Sequence, residues 1–311
     1  MIRVTTGSRL HFGLIGLGAD APRHFGGAGL MVECPALSLG VEPAAKWSAT
    51  GPLAERSLAC ARRFAESVGI ERPQSITVEE APPEHVGLGT GTQLGLAVAR
   101  ALTEAWGLDY STIALARHAG RGLRSALGIY GFERGGFLVD GGKGAGETLA
   151  PLLVRTAFPE EWRIILATPV AEAGLHGPAE QRAFAELTAH SSGRADMLCR
   201  LVLLGLLPAL AERDCAVFGA ALYEFNRCVG EVFAAVQGGP YAGPTTTGLV
   251  EWFRRQGVSG VGQSSWGPTV FAVVADEERG RDLALRLKRE IGAERVAVVV
   301  AAARNRGVIV T

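Results

Sequence analysis

The run Pro83-Glu-His-Val-Gly-Leu-Gly-Thr-Gly-Thr-Gln93 sets three glycines and two threonines directly before an apolar stretch of helical period. Glycine allows positive φ and a close backbone approach, and the first amides of a helix are unpaired donors at the positive end of its dipole. Gly87, Gly89, Thr90, Gly91, Thr92 and Gln93 are therefore candidates to cradle phosphate, since they offer amides and hydroxyls together at a helix start. Three other segments carry more polar and glycine residues than packing requires. In Gly7-Ser-Arg-Leu-His-Phe-Gly13, strand alternation puts Arg9 and His11 on one face, which otherwise reads as a solvated edge. In Gly120 to Gly128 and Gly135 to Lys143, Arg121, Arg124 and Lys143 either converge as a cationic cluster or decorate a glycine-rich hairpin. Gly262-Gln-Ser-Ser-Trp-Gly-Pro-Thr269 is a small-residue loop whose Trp266 offers a flat surface for a planar ligand.

The elements that must hold these groups follow from hydrophobic period. Leu94, Ala97, Val98, Ala101, Leu102 and Ala105 recur at three and four, predicting a helix over 92–106 that stops near Trp106-Gly107. The first half mixes this helix and others near 53–68 and 111–120 with strands near 1–6, 10–17, 27–33, 36–42 and 75–80. Gly135-Gly-Phe-Leu-Val-Asp140 reads as a buried strand. After Pro151 come a strand over 163–168, long helices through 178–237, and helices at 246–256 and 277–291. Strands at 257–262, 269–275 and 295–300 alternate with them. The fold class is α+β in two domains, 1–155 and 156–311, with no internal repeat.

Composition narrows the function classes. A 311-residue chain with 48% apolar and 20% charged residues is compact and ordered. Its 31 basic and 31 acidic residues cancel, so no global field draws nucleic acid or an anionic membrane, and any anion site is local. Apart from Lys46, Lys143 and Lys288 the basic residues are arginines, the side chain suited to forked recognition of carboxylate and phosphate. Cys34, Cys60, Cys199, Cys215 and Cys228 are odd in number and widely spaced, suggesting neither disulfides nor a metal cluster. The N-terminus lacks an apolar signal core, and the expected location is the cytoplasm.

The order and spacing of Arg9-x-His11-x-Gly13, the Pro83 to Thr92 loop opening a helix, and the late glycine loop resemble the three motifs of the GHMP kinase superfamily. The resemblance implies a ribosomal S5-like N-terminal domain, a ferredoxin-like C-terminal domain and a site between them. One departure matters. Where such kinases carry Ser-Gly-x-Asp before a Gly-Gly pair, alignment on Gly135-Gly136 places Ser125-Ala-Leu-Gly128, so glycine replaces the catalytic aspartate. A glycine neither accepts a hydroxyl proton nor orients a nucleophile.

That loss, with His85 to Gln93, Phe132 to Gly142, Gly262 to Thr269 and Arg9-Leu-His-Phe-Gly-Leu-Ile15, is similar to a non-kinase branch, the β-ribofuranosylaminobenzene 5'-phosphate synthases. This resemblance implies condensation of phosphoribosyl pyrophosphate with 4-hydroxybenzoate or 4-aminobenzoate, in tetrahydromethanopterin biosynthesis, by a magnesium-dependent homodimer. It casts Arg9, His11, Arg121, Arg124 and Lys143 as catalytic groups. His85, Ser125, Gln263, Ser264, Ser265 and Trp266 join the loop in binding substrate, and Asp140 or Glu133 would hold magnesium. The alternatives are an ATP-dependent small-molecule kinase of the superfamily and a ligand-binding relative without catalysis.

Overall fold

A computed structural model describes residues 1–17, 21–170, 172–175, 177–190 and 194–311. Its first sheet is built on two long strands, β1 (Ile2–Leu14) and β2 (Gly27–Pro43), which pair antiparallel along most of their length. The four separate strands expected over 1–42 are thus two. Register shifts at Thr6/Ser8 and His11/Gly13 bend them without ending them, and an irregular step of this kind looks like a break in the alternation of a sequence. Short β3 (Ser48–Thr50) follows, then α1 (Ala54–Val68) and β4 (Gln74–Glu80), which pairs with the second half of β2.

Helix α2 (Thr90–Trp106) begins at the glycine loop and ends at Gly107, as its apolar period requires. Then come α3 (Thr112–His118), α4 (Leu127–Arg134), β5 (Phe137–Asp140) and β6 (Leu152–Thr156). The segment with the reading of a glycine-rich hairpin therefore contains a helix. Gly128 and Gly131 weaken its helical signal, yet a side chain at Gly131 would meet Met31 at 2.5 Å, so close packing on β2 explains the residue. β5 pairs with the first half of β2.

The second half holds an antiparallel sheet in the order β10-β7-β9-β8, from β7 (Arg163–Pro169), β8 (Gly260–Gln263), β9 (Val270–Val274) and β10 (Val296–Ala301). Its helices are α5 (Gly177–His190), α6 (Ala195–Leu201), α7 (Leu207–Glu212), α8 (Cys215–Gln237), α9 (Gly243–Arg255) and α10 (Glu277–Ile291). A π turn, Val202–Leu206, joins α6 to α7, so the long helical stretch expected over 178–237 is four helices. The last strand, β11 (Ile309–Val310), returns to pair with β1 in the first sheet.

One core serves both halves. Phe271 of β9 lies 4.9 Å from Phe12 of β1, Phe12 lies 6.3 Å from Phe137 of β5, and Phe137 meets Phe218 of α8 at 6.2 Å. Phe158 and Trp162 close the cluster on Phe218 at 5.4 and 5.5 Å. All these rings are buried in one cluster that draws on both sheets. Phe218→Ala should cost about 3–5 kcal/mol in denaturant unfolding and shift one cooperative transition for the whole chain; two separable transitions would contradict a shared core.

Candidate active site

Both halves wall a cleft of about 450 Å³. Gly87, Gly89, Thr90, Gly91 and Thr92 form one wall at the start of α2. Gly89 takes the cap position at φ 72 and no side chain caps the helix there; its carbonyl accepts from Thr92 N and Gln93 N at 3.0 and 3.2 Å, which leaves the amides of Thr90 and Gly91 for a ligand. Arginines crowd this turn. A side-chain carbon built at Gly89 would lie 3.2 Å from Arg9 Nε, and one at Gly91 would lie 2.5 Å from Arg56 Nη2 and 3.8 Å from Arg121 Nη1. One at Gly95 would lie 3.1 Å from Arg121 Nε. These glycines leave room for three guanidinium groups against the first two turns of α2.

The cations differ in how they are compensated. Arg9 has Nε and Nη1 buried without a hydrogen-bond partner among the described residues, and burial lowers its pKa to about 10, with Glu180 and Asp140 acting in the opposite sense. Arg121 likewise has a buried, unpartnered Nε. Arg56 is ion-paired with Glu84, and its pKa is lowered by burial first and then by the charge of Arg121. Arg124 on the opposite wall pairs with Glu180 at 2.8 Å and lies 4.3 Å above the ring of Phe184. Net positive charge thus gathers in a partly enclosed space, where it attracts anions more strongly than it would in open water.

His11 lines the cleft, is 6% exposed, and is held well below the usual histidine range by burial and then by Arg9. It is a neutral imidazole at physiological pH. His85 also lines the cleft, at φ 59, and its carbonyl accepts from Gly174 N at 2.7 Å.

Several expected ligand groups brace the backbone instead. Gln93 is outside the cleft lining, donating to Gly128 O at 2.9 Å and accepting from Thr6 Oγ1 at 2.9 Å. Ser264 is fully buried; its hydroxyl donates to Gly87 O at 2.7 Å and accepts from His11 N at 3.0 Å, tying the C-terminal loop to both N-terminal segments. Gln263 reaches the cleft, yet its side chain accepts from Ala242 N at 2.7 Å and donates to Ser265 O at 2.9 Å. Ser265, at φ 57, lines the cleft, and its amide donates to His11 O at 3.0 Å. Trp266 lines it as well, boxed edge-on by Phe184 at 5.3 Å and Phe233 at 4.6 Å, with a buried, unpartnered Nε1. Lys143 does not line the cleft. Its ammonium donates to the carbonyls of Gly122 and Leu123 and so anchors the loop that carries Arg121 and Arg124.

The two carboxylates considered for magnesium do not come together. Asp140, 1% exposed, accepts from Ser125 Oγ and Ala126 N at 2.9 Å through Oδ2 and from Gly142 N at 3.1 Å through Oδ1. Burial pushes its carboxyl upward, while these hydrogen bonds pull it down. Ser125, at the cleft edge, is therefore held by Asp140. Glu133 pairs with Arg134 at 2.9 Å on an exposed face outside the lining. Among the described residues no group of three or more His, Cys, Asp or Glu could hold a metal ion, so the side chains do not fit a resident magnesium site.

Arg56 is a lining residue that sequence reasoning passed over. Its helix carries Arg62 and Arg63 as well, and only the bare surface of Gly91 singles it out.

Comparison with known proteins follows the same division. The GHMP kinases N terminal domain matches residues 55–132 and the GHMP kinases C terminal domain matches residues 206–293. β-Ribofuranosylphenol 5'-phosphate synthase of Archaeoglobus fulgidus is 34% identical, with 99% of each chain covered. That of Methanothermobacter thermautotrophicus is 32% identical over 98% of this chain and 97% of its own. The chain belongs to this synthase family. The family consists of pentosyltransferase enzymes set within the GHMP kinase fold. Homoserine kinase from Cytophaga hutchinsonii shares that fold at a TM-score of 0.70 and 16% identity, covering 100% of this chain and 97% of its own. Mevalonate diphosphate decarboxylase from Enterococcus faecalis shares it at 0.66 and 14%, covering 100% and 98%. The synthase resemblance read from the four sequence segments is thereby established. In this member Gly128 of α4 faces Thr92, whose methyl would lie 3.0 Å from an added side-chain carbon.

A pH dependence follows from His11. Its folded pKa lies below the unfolded value near 6.5, so the unfolded chain binds the proton first and stability falls as pH drops below about 6.5, by up to about 1.4 kcal/mol per unit. Melting temperatures of His11→Gln from pH 7.5 to 5 should fall less steeply than those of the unsubstituted protein; parallel curves would place a readily protonated imidazole at this position.

Proposed function

We propose that the protein is a phosphoribosyl C-transferase that condenses phosphoribosyl pyrophosphate with 4-hydroxybenzoate or 4-aminobenzoate, releasing carbon dioxide and pyrophosphate. The observation that carries this reading is a cleft rich in arginine whose only lining carboxylate among the described residues, Glu180, is paired with Arg124. Such a site stabilises anions and leaving groups; it lacks an uncommitted carboxylate to take a proton from an alcohol. The names of the relatives from Archaeoglobus fulgidus and Methanothermobacter thermautotrophicus support the same reaction class.

In the proposed reaction the C1–O bond of the donor breaks and its electron pair leaves with the diphosphate. The arginines and the first amides of α2 disperse that charge as it develops. The ring carbon bearing the carboxylate bonds to C1, the carbon–carboxylate bond breaks, and its electron pair restores the aromatic ring as carbon dioxide leaves. Neutral His11 adds no competing positive charge beside the oxocarbenium-like centre. Magnesium, where required, would come with the donor as the counter-ion of its diphosphate, a mode that needs few protein ligands. Trp266 and Phe184 supply aromatic wall for the acceptor ring, and the reaction takes its place in tetrahydromethanopterin biosynthesis, in the cytoplasm.

Purified protein with magnesium, phosphoribosyl pyrophosphate and each benzoate should yield pyrophosphate and carbon dioxide in equal amounts. Turnover of ATP with an alcohol, and none of the donor, would replace this reading with a kinase. Arg9→Met should lower kcat/KM by about 10²–10³-fold, as removal of a charge-stabilising donor does. Its melting temperature should stay level or rise, because a buried unpaired charge is removed. Turnover equal to that of the unsubstituted protein would take Arg9 out of the reaction.

A further inference from the structure

The arginines of the cleft divide into two groups. Arg9 and Arg124 face Glu180, whereas Arg56 and Arg121 meet over Gly91, at the first turn of α2. In the second group two guanidinium groups of like charge lie beside Gly91; Glu84 pairs with Arg56, and Arg121 Nε is buried and unpartnered. The charge of each works against the other, and the burial of Arg56 adds to the cost. A single carboxylate neutralises half of this pair. A phosphate or diphosphate carries two or more negative charges and enough oxygens to meet both forks and the helix amides at once.

We propose that Arg56 and Arg121 form a dianion subsite on the first turn of α2, and that Glu84 is an internal stand-in that pairs with Arg56 from outside the cleft lining until a phosphate or diphosphate group takes its place. The sequence supports such an exchange. Glu84 sits in the same Pro83 to Gln93 loop that wraps the helix start, one residue before His85 at φ 59, so the stand-in and the helix amides belong to one continuous segment. Arg56 lines the cleft with its side chain 31% accessible, so an incoming anion can reach it without unfolding its surroundings. The carboxylate competes for Arg56 and so sets a threshold: only ligands with more than one negative charge at this point outcompete it. Arg56 becomes a specificity residue for the phosphorylated substrate, and Glu84 a brake on the binding of singly charged anions.

This inference rests on the synthase reading only for the identity of the natural ligand; its test does not need turnover. Titration calorimetry of the full chain with inorganic pyrophosphate and with inorganic phosphate distinguishes the two anion sources. Arg56→Ala should weaken pyrophosphate about 10- to 100-fold, the loss of one charge-assisted contact, and Arg56→Lys should recover part of it. Glu84→Gln should tighten pyrophosphate about three- to tenfold and narrow the preference for pyrophosphate over acetate, because the competing carboxylate is gone. Unchanged or weaker pyrophosphate binding in Glu84→Gln would overturn the stand-in role even if Arg56→Ala proved unstable. Unchanged binding in a folded Arg56→Ala would overturn the subsite. Arg56-dependent pyrophosphate binding in a protein that does not turn over phosphoribosyl pyrophosphate would support the subsite and count only against the synthase reading.

Discussion

Everything around the cleft answers one constraint: several guanidinium groups must be held close together, partly out of water, before any ligand arrives. Arginine does not relieve this by shedding its proton at physiological pH, since even Arg9 is lowered only to about 10. The structure meets the constraint with space and with internal counter-charge. Gly89, Gly91 and Gly95 leave the flank of α2 bare, so the long side chains of Arg9, Arg56 and Arg121 lie against the helix instead of being pushed out of the cleft. Glu84 and Glu180 neutralise one cation on each wall. What is left uncompensated, at Arg9 and Arg121, is the attraction available to a substrate.

Such an arrangement has to be rigid, because a displacement of an ångström at a charged site changes binding by orders of magnitude. Rigidity comes from polar residues whose hydrogen bonds tie together the segments that wall the cleft. Asn226 on α8 donates to Phe12 O at 2.7 Å and Gln263 O at 2.9 Å and accepts from Gln263 N, joining β1 to the end of β8. Ser264 continues this seam to Gly87, so the strand carrying Arg9 and His11, the phosphate loop and the late glycine loop move as one body. Asp140 and Lys143 do the same for the loop with Arg121 and Arg124, one through Ser125 and the amide of Ala126, the other through the carbonyls of Gly122 and Leu123.

That division explains what a sequence can disclose. The glycine loop and its helix were legible because the signal is local: glycine before an apolar stretch of period 3.6 has few other physical readings. Arg9 and His11 were legible because a strand alternates. Gln93, Ser264, Asp140 and Lys143 looked like ligand groups for the same reason, being polar residues in glycine-rich surroundings, but each has a partner between 14 and 253 residues away and only tertiary structure shows that their hydrogen bonds are already spent. Arg56 is the converse case. It stands in an ordinary amphipathic helix, and its importance comes from an absent side chain at Gly91, 35 positions later. Helix α4 was hidden because Gly128 and Gly131 serve contacts with Thr92 and Met31 at the cost of helix propensity.

Gly128 also shows how one fold moves between reaction classes. In a kinase site the charge problem is shared: cations hold the phosphates while an acid manages the proton of the acceptor. Here Gly128 packs against Thr92: a side-chain carbon added to it would lie 3.0 Å from the Thr92 methyl, so any larger residue would have to push that methyl aside by a few tenths of an ångström. With glycine at this position α4 packs closely on the phosphate helix, and Arg9 and Arg121 keep buried nitrogens without a hydrogen-bond partner among the described residues. The cleft becomes more strongly electropositive, and its neutral His11 contributes no proton at physiological pH. A reaction that suits these walls has a departing anion to stabilise and an acceptor that needs no deprotonation, which is the situation when an aromatic carbon attacks a sugar and loses carbon dioxide.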